Sequence, residues 1–178
     1  EWWEPVYPTL VIGPLRVSKN TWPDEITKWP LKTRVVAIAG DVADRLAALK
    51  TPADVYTINY ENIPWLCALY SNGVAKWPFK CVVIDESTKV AGLRVTIQTS
   101  IGGKPCKPHI KGQGTKRSRD LLEKIWQNDC KVIELTGTPA TKGLEKLWGQ
   151  LFFLDYGQRL GRNFTAFEDR WFGYKKDA

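Results

Sequence analysis

The sequence predicts an α/β fold, in which a doubly wound, mostly parallel sheet carries helices on both faces. Short apolar runs rich in β-branched residues alternate with helical segments, and the links between them are short, as expected of βαβ units. Two of the apolar runs also end abruptly in polar residues. Buried parallel strands read as continuous apolar runs. The polar residues at their ends lie at the carboxyl edge of the sheet, where ligands bind.

The predicted elements alternate along the chain. Thr21, Pro23 and Asp24 are a favourable helix start, because proline fits the first turn and the acidic side chain suits the amino-terminal end. Parallel strands need right-handed crossovers, so the order predicts one doubly wound sheet. Strands are predicted near residues 9–13, 34–40, 54–60, 81–86 and 131–136, and helices near residues 22–29, 41–50, 61–72, 116–128, 143–153 and 164–172.

Length and composition predict one domain over residues 1–178. The chain is 43% hydrophobic, which is enough to bury a single core. No apolar run approaches the roughly 20 residues of a transmembrane helix, and nothing resembles a signal peptide. The four cysteines are widely spaced without a C-x-x-C pair, which favours reduced thiols. We therefore expect an intracellular protein without a membrane partner.

The apolar run at residues 81–84 ends in Asp85 and Glu86. A buried parallel strand would deliver both carboxylates to the carboxyl edge of the sheet. Asp85 suits Mg²⁺, a hard cation that prefers oxygen ligands, and Glu86 could orient and deprotonate a water molecule. A strand that ends in Asp-Glu can also be a plain surface turn, so this pair alone leaves both interpretations open.

A second predicted strand ends in a turn that carries two hydroxyl groups. Thr136, Gly137, Thr138 and Pro139 follow the run at residues 132–135. Because parallel strands end at the same edge, Thr136 and Thr138 are expected beside the two carboxylates, where a magnesium–nucleotide site would lie. The alternative is a turn that only ends the strand.

Further segments stand in a fixed order with these two motifs. They are residues 10–17 (LVIGPLRV) with 22–29 (WPDEITKW), 55–61 (VYTINYE) and 144–151 (LEKLWGQL), beside 85–88 (DEST) and 135–139 (LTGTP). In this order and spacing they resemble the motifs of superfamily-two helicases and translocases. Residues 10–17 with 22–29 resemble motif Ia and its helix, residues 55–61 motif Ib and residues 85–88 motif II. Residues 135–139 resemble motif III, and residues 144–151 the helix that follows it. The likeness is to the first RecA-like lobe of the Swi/Snf type, and most closely to the compact versions found in bacteriophages.

The resemblance implies a RecA-like fold of the P-loop NTPase type, with ATP and Mg²⁺ as cofactors. Duplex DNA and a second RecA-like lobe would be its partners. Asp85 would bind Mg²⁺, Glu86 would activate the attacking water, and Thr136 with Thr138 would contact the nucleotide and relay its state. The expected location is the cytoplasm, which is the host cytoplasm if a bacteriophage encodes the chain.

The resemblance also indicates residues that face DNA. Arg16, Ser18 and Lys19 follow the motif Ia strand, and Asn59 and Tyr60 lie in motif Ib. Cationic and polar groups at such positions hold backbone phosphates. Arg16, Ser18 and Lys19 could instead simply begin a helix, and Tyr60 could equally belong to the core.

Residues 87–119 contain eight basic residues and no Asp or Glu, against a net charge of +7 for the whole chain. Frequent Gly and Pro predict a long mobile insertion loop at residues 87–115, with a hairpin between 93–99 and 107–111. This segment can bind nucleic acid through counterion release, or it can be a solvated, disordered insertion. The candidate nucleic-acid-binding residues are Lys104, Lys107, Lys111, Lys116, Arg117 and Arg119.

One element of the family pattern is missing from the 178 residues. A P-loop has the pattern G-x-x-x-x-G-K-[ST], whose amides and lysine hold the phosphates. No such run is present, since Gly103 and Lys104 are followed by Pro105. We expect one of two explanations. Either the segment with the P-loop and its strand, an interior strand of the sheet, has been removed, or the gene naturally encodes a shortened lobe.

The predicted function is the N-terminal motor lobe of an ATP-dependent DNA helicase or translocase, which couples ATP hydrolysis to movement on duplex DNA. This chain alone is expected to be unable to hydrolyse ATP, because phosphoryl transfer depends on positioning the phosphates and stabilising their charge. The alternative is a naturally shortened, non-catalytic lobe that binds nucleic acid or another protein, as an interaction or inhibitor protein.

Overall fold

The structure is a computed structural model that describes residues 6–30, 32–71, 73, 75–101, 103–140 and 143–173, without the side chains of Ile101, Lys107 and Pro108. A π-helical turn at Val17–Thr21 and 3₁₀ turns at Tyr60–Asn62 and Ser87–Lys89 supplement the regular elements. The strands are β1 (Thr9–Gly13), β2 (Val35–Ile38), β3 (Val55–Asn59), β4 (Cys81–Asp85), β5 (Arg94–Ile101), β6 (Lys104–Gln113) and β7 (Lys131–Leu135). The helices are α1 (Trp22–Lys28), α2 (Val42–Lys50), α3 (Ile63–Leu69), α4 (Lys116–Gln127), α5 (Lys146–Asp155) and α6 (Phe164–Trp171).

Five strands form one parallel sheet in the order β2-β3-β1-β4-β7. From the central strand β1 the chain first builds β2 and β3 on one side, and then β4 and β7 on the other. This is a doubly wound order, with connections long enough for the crossovers that parallel strands require. The predicted fold class, an α/β protein with a mostly parallel sheet and helices, is confirmed.

The central strands are buried, whereas β7 is an edge strand. Leu10, Ile12 and Ile84 are inaccessible to solvent, and each such side chain contributes roughly 1.5–3 kcal/mol by burial. In β7, Ile133 is 48% exposed and Leu135 is 39% exposed. Each of the five strands pairs with its neighbour in the order. No gap for an interior strand therefore separates them in the described part of the chain.

The chain forms two compact units. The first unit is drawn from residues 1–86 and 124–135 and contains the five-stranded sheet with α1, α2 and α3. The second unit is drawn from residues 87–123 and 136–178 and contains β5, β6, α5, α6 and the first two turns of α4. In the described part of the chain, no helix is long and apolar enough to cross a membrane.

The segment predicted to be a mobile loop, residues 87–115, is mostly an ordered antiparallel hairpin. β5 pairs with β6 in a register that sets Arg94 against Gln113 and Ile97 against Ile110. The hairpin is longer than the predicted one, because alternating residues give it a buried face on which Val95 is 2% exposed. Gly112 has φ +135, and a side chain there would strike the carbonyl oxygen of Arg94. The abundance of Gly and Pro thus favoured the prediction of a loop over that of two paired strands.

Aromatic side chains form the core of the second unit. Trp148 of α5 is 1% exposed, and its ring centroid lies 4.7 Å from that of Phe152 and 5.6 Å from that of Phe164. Its indole N–H donates to the carbonyl oxygen of Gly161 at 3.0 Å, so the polar atom of this buried side chain is satisfied. Phe167 of α6 completes the cluster, 5.9 Å from Phe164.

Candidate functional site

Asp85 is the last residue of β4, at the carboxyl edge of the sheet. The indole N–H of Trp22, the first residue of α1, donates to Asp85 Oδ2 at 2.9 Å. The neighbouring strand β1 ends at Gly13, where an added Cβ would lie 3.8 Å from Asp85 Oδ2. Among the described residues, the structure shows no partner for Asp85 Oδ1. One oxygen is therefore held by the protein, and the other is available to a cation.

Glu86 follows Asp85 in a strained backbone conformation. Its φ is +62, and the left-handed region costs a non-glycine residue about 1–2 kcal/mol. The hydroxyl of Tyr60 donates to the carbonyl oxygens of Asp85 at 2.6 Å and of Glu86 at 3.1 Å. Tyr60 is 1% exposed, so a core residue holds the backbone that carries both carboxylates. Strain of this kind is found where surrounding contacts enforce it, often at functional sites.

Asp85 is the predicted ligand of Mg²⁺. Among the described residues, no group of three or more His, Cys, Asp or Glu side chains could hold a metal ion. Mg²⁺ in nucleotide sites usually takes only one or two carboxylates, with waters and substrate phosphates as its other ligands. A partly exposed Asp85 with one oxygen available fits that limited role.

Thr136 and Thr138 lie in the turn after β7, and they belong to the second unit. The backbone N–H of Thr138 donates to Thr136 Oγ1 at 3.2 Å, which leaves the hydroxyl proton of Thr136 available. Leu135 pairs with Asp85 in the parallel register, so β4 and β7 end side by side. The direct role of both threonines toward a nucleotide stays a prediction.

Gln150 is a buried polar residue that the sequence did not single out. Its Nε2 donates to the carbonyl oxygen of Pro139 at 2.8 Å, and its Oε1 accepts from the hydroxyl of Ser87 at 2.9 Å. Ser87 is inaccessible and Gln150 is 3% exposed. Within the second unit, one amide thus links the turn after β4 to the turn after β7. Its signal in the sequence was a single glutamine within the apolar helix α5.

Comparisons with known proteins establish the fold. A scan against protein-family models found no match. The SWI2/SNF2 ATPase core of Sulfolobus solfataricus, solved in complex with dsDNA, superimposes with a TM-score of 0.60 at 23% identity, over 93% of this chain and 28% of that one. The fold is RecA-like.

A curated relative comes from a bacteriophage. Putative protein p41 of Acyrthosiphon pisum secondary endosymbiont phage 1 is 40% identical over 168 residues, which are 93% of this chain and 32% of the relative. The chain therefore spans about a third of the length of the relative it matches.

On this RecA-like fold, three of the predicted nucleic-acid contacts have side chains that are buried and hydrogen-bonded in the folded chain, so their role toward nucleic acid stays a prediction. Ser18 is 3% exposed and its hydroxyl donates to the carbonyl oxygen of Leu15. Asn59 is 6% exposed, and its amide donates to Glu61 and accepts from Asn62. Tyr60 belongs to the core, and its hydroxyl donates to the backbone carbonyl oxygens of Asp85 and Glu86.

The other predicted contacts differ in accessibility. Lys116 is exposed but forms an ion pair of 2.7 Å with Asp120. Arg117 is partly buried, and the side chain of Lys107 lies outside the described residues. The side chains that are exposed and stay candidates are Arg16, Lys19, Lys104, Lys111 and Arg119.

Proposed function

We propose that this chain is the N-terminal motor lobe of an ATP-dependent DNA translocase or helicase. In this proposal Asp85 binds Mg²⁺ and Glu86 accepts a proton from the water that attacks the terminal phosphate. The bound Mg²⁺ would neutralise charge on the phosphates. The phosphate-binding loop and the second lobe would come from segments outside these 178 residues.

The geometry around Asp85 and Glu86 carries the proposal. Trp22 donates to one oxygen of Asp85 at 2.9 Å, which fixes the orientation of the carboxylate before any cation binds. Tyr60 donates to the two carbonyl oxygens of the pair, and Glu86 keeps a left-handed φ of +62. A surface turn without a function has no need of a buried tyrosine and a strained glutamate, so these contacts support the site over the plain turn.

The proposed partner is duplex DNA. The SWI2/SNF2 ATPase core with the same fold was solved in complex with dsDNA. In this chain, Arg16 and Lys19 are exposed just after β1 and could contact backbone phosphates. Contacts of this type release counterions, so the affinity should fall steeply as salt rises.

A second candidate is a non-catalytic lobe that binds nucleic acid. It is favoured by the basic hairpin of β5 and β6. This candidate needs neither carboxylate. It predicts that DNA binding by the chain is insensitive to Mg²⁺–ATP, whatever segments accompany it.

The test combines ATP turnover with DNA retention by this 178-residue chain. We expect no turnover with or without duplex DNA, and retention that fades as salt rises. Arg16→Gln with Lys19→Gln should weaken retention, whereas the matched pair Lys50→Gln with Lys76→Gln, also exposed, should not. DNA-stimulated turnover that Glu86→Gln abolishes would show that the chain itself holds the phosphates, and equal losses in both paired variants would remove Arg16 and Lys19 from the proposal.

A further inference from the structure

A cavity of about 540 Å³ lies within the second unit. Its walls come from the turn after β4, the first turn of α4, the turn after β7 and the first turn of α5. The volume falls within the range of ligand-binding pockets in proteins. Neither Asp85 nor Glu86 lines it.

The walls of this cavity are held by close packing and buried hydrogen bonds. Gly149 of α5 lies against the backbone of Ala91, where an added Cβ would be 2.1 Å from the carbonyl oxygen. The N–H of Val90 donates to the carbonyl oxygen of Ser87 at 2.9 Å, and the Ser87 hydroxyl is bonded to Gln150. The cavity is therefore preformed, which lowers the entropic cost of binding a ligand.

The charged residues that line the cavity are both lysines. Lys89 is the last residue of the 3₁₀ turn after β4, and Lys146 begins α5, whereas no Asp or Glu lines the cavity. Among the described residues, the structure gives neither ammonium group an ion-pair partner. Because both lysines line the same cavity, an anion bound there would be attracted to both ammonium groups.

Two hydroxyl groups add hydrogen-bond donors to the lysines. Thr115 precedes α4, and Ser118 lies in its first turn and is 2% exposed. Their oxygens are 2.7 Å apart, and Thr115 Oγ1 also accepts from the N–H of Ser118 at 3.3 Å. The bond between the hydroxyls uses only one of the two hydroxyl protons, so the other can be donated to a ligand. The amino-terminal end of α4, with its positive end of the helix dipole, lies on the same wall.

We propose that this cavity binds a phosphate group through Lys89, Lys146 and the Thr115–Ser118 hydroxyl pair. Two ammonium groups and a hydroxyl suit a compact anion with several acceptor oxygens. The phosphate can be a phosphodiester of nucleic acid or a free phosphate such as that of a nucleotide. The site does not depend on ATP hydrolysis, so it stands or falls separately from the proposed function.

Gly92 allows a test that leaves the lysines in place. It lines the cavity, and a Cβ added there would meet no heavy atom within 4 Å. Gly92→Asp should place a carboxylate at the cavity and repel an anion. Gly92→Asn has the same shape without the charge, and any loss of folding from the new side chain should be common to both variants.

Binding to this chain would be measured with inorganic pyrophosphate by titration calorimetry, and with 20-nucleotide single-stranded and duplex DNA by fluorescence anisotropy. We expect Gly92→Asp and Lys89→Gln with Lys146→Gln to weaken binding at least about tenfold, as the loss of charge-assisted hydrogen bonds predicts. Gly92→Asn and the control Lys50→Gln with Lys76→Gln should stay within about threefold of the wild type.

The two ligand classes separate the sources of the phosphate. If Gly92→Asp and Lys89→Gln with Lys146→Gln weaken the binding of pyrophosphate and the control variants do not, the cavity is a site for a free phosphate. If the same variants weaken only the binding of DNA, the cavity binds a phosphodiester of nucleic acid. If Gly92→Asp binds both ligands as tightly as Gly92→Asn, the cavity does not hold a phosphate and the proposal is wrong.

Discussion

Replacing Glu86 by glycine should make the folded chain more stable than replacing it by alanine. Glu86 has φ +62, a conformation that costs a non-glycine residue about 1–2 kcal/mol. Glycine adopts this conformation freely but loses roughly 0.5–1 kcal/mol more chain entropy on folding. Both variants lack the carboxylate, so its own contacts cancel in the comparison. The free energy of unfolding of Glu86→Gly should therefore exceed that of Glu86→Ala by roughly 0.5–1 kcal/mol.

The assay is urea unfolding of the two variants, and Glu123 provides the control. Glu123 lies within α4, where glycine is about 1 kcal/mol less favourable than alanine. The order of the two variants should thus reverse between the positions. If glycine were also the less stable variant at position 86, the left-handed conformation of Glu86 and the strain attributed to it would be refuted.

Three further predictions concern buried contacts. In a double-mutant cycle of Trp22→Phe with Asp85→Ala, urea unfolding at pH 7 should give a coupling free energy of about 1–2 kcal/mol, and a value near zero would mean that the indole does not hold the carboxylate. Gln150→Leu should lower the free energy of unfolding by about 1–3 kcal/mol, because it leaves its buried partners unpaired; an unchanged urea midpoint would contradict this. A thiol reagent at pH 8 should modify the partly exposed Cys106 well before Cys130, because burial raises the pKa of Cys130 to about 11 and leaves only about one thiolate in a thousand. The reactivity of Cys130 should rise as the pH approaches that value, and equal rates at pH 8 would contradict its burial.

The strands of the parallel sheet were predictable because each is a short, nearly continuous apolar run. The strand predicted at residues 81–86 is Cys81–Asp85, and the one predicted at 131–136 is Lys131–Leu135. The carboxyl end of β4 was equally readable, since Asp85 marks the point where its burial stops. For the buried strands, local sequence contains this information because burial on both faces requires such runs.

The contacts that shape the site were not predictable, because they join residues far apart in the sequence. Trp22 and Asp85 are separated by 63 positions. The same separation lies between Ser87 and Gln150. Tyr60 shows the same limit, since its residue type allowed either an exposed contact or a core position. Only the fold decides between the two positions. It buries Tyr60, whose hydroxyl donates to the backbone carbonyl oxygens of Asp85 and Glu86.

The hairpin of β5 and β6 was predicted too short because two signals in the sequence conflict. Gly and Pro punctuate residues 102–114 and favour a loop. The alternation of Arg94, Thr96 and Gln98 with Val95 and Ile97 favours a strand. The structure follows the alternation, because pairing two strands satisfies their backbone groups while Val95 is buried.

The most direct test of the central claim is ATP turnover by a protein that joins this chain to a P-loop segment and a second lobe, measured with saturating duplex DNA. The account predicts that Glu86→Gln lowers kcat at least about a hundredfold, as expected for loss of a general base, with little change in KM. Glu168→Gln, the same substitution in α6, should leave kcat unchanged. Turnover by Glu86→Gln within about twofold of the wild type would contradict the claim that Glu86 activates the attacking water.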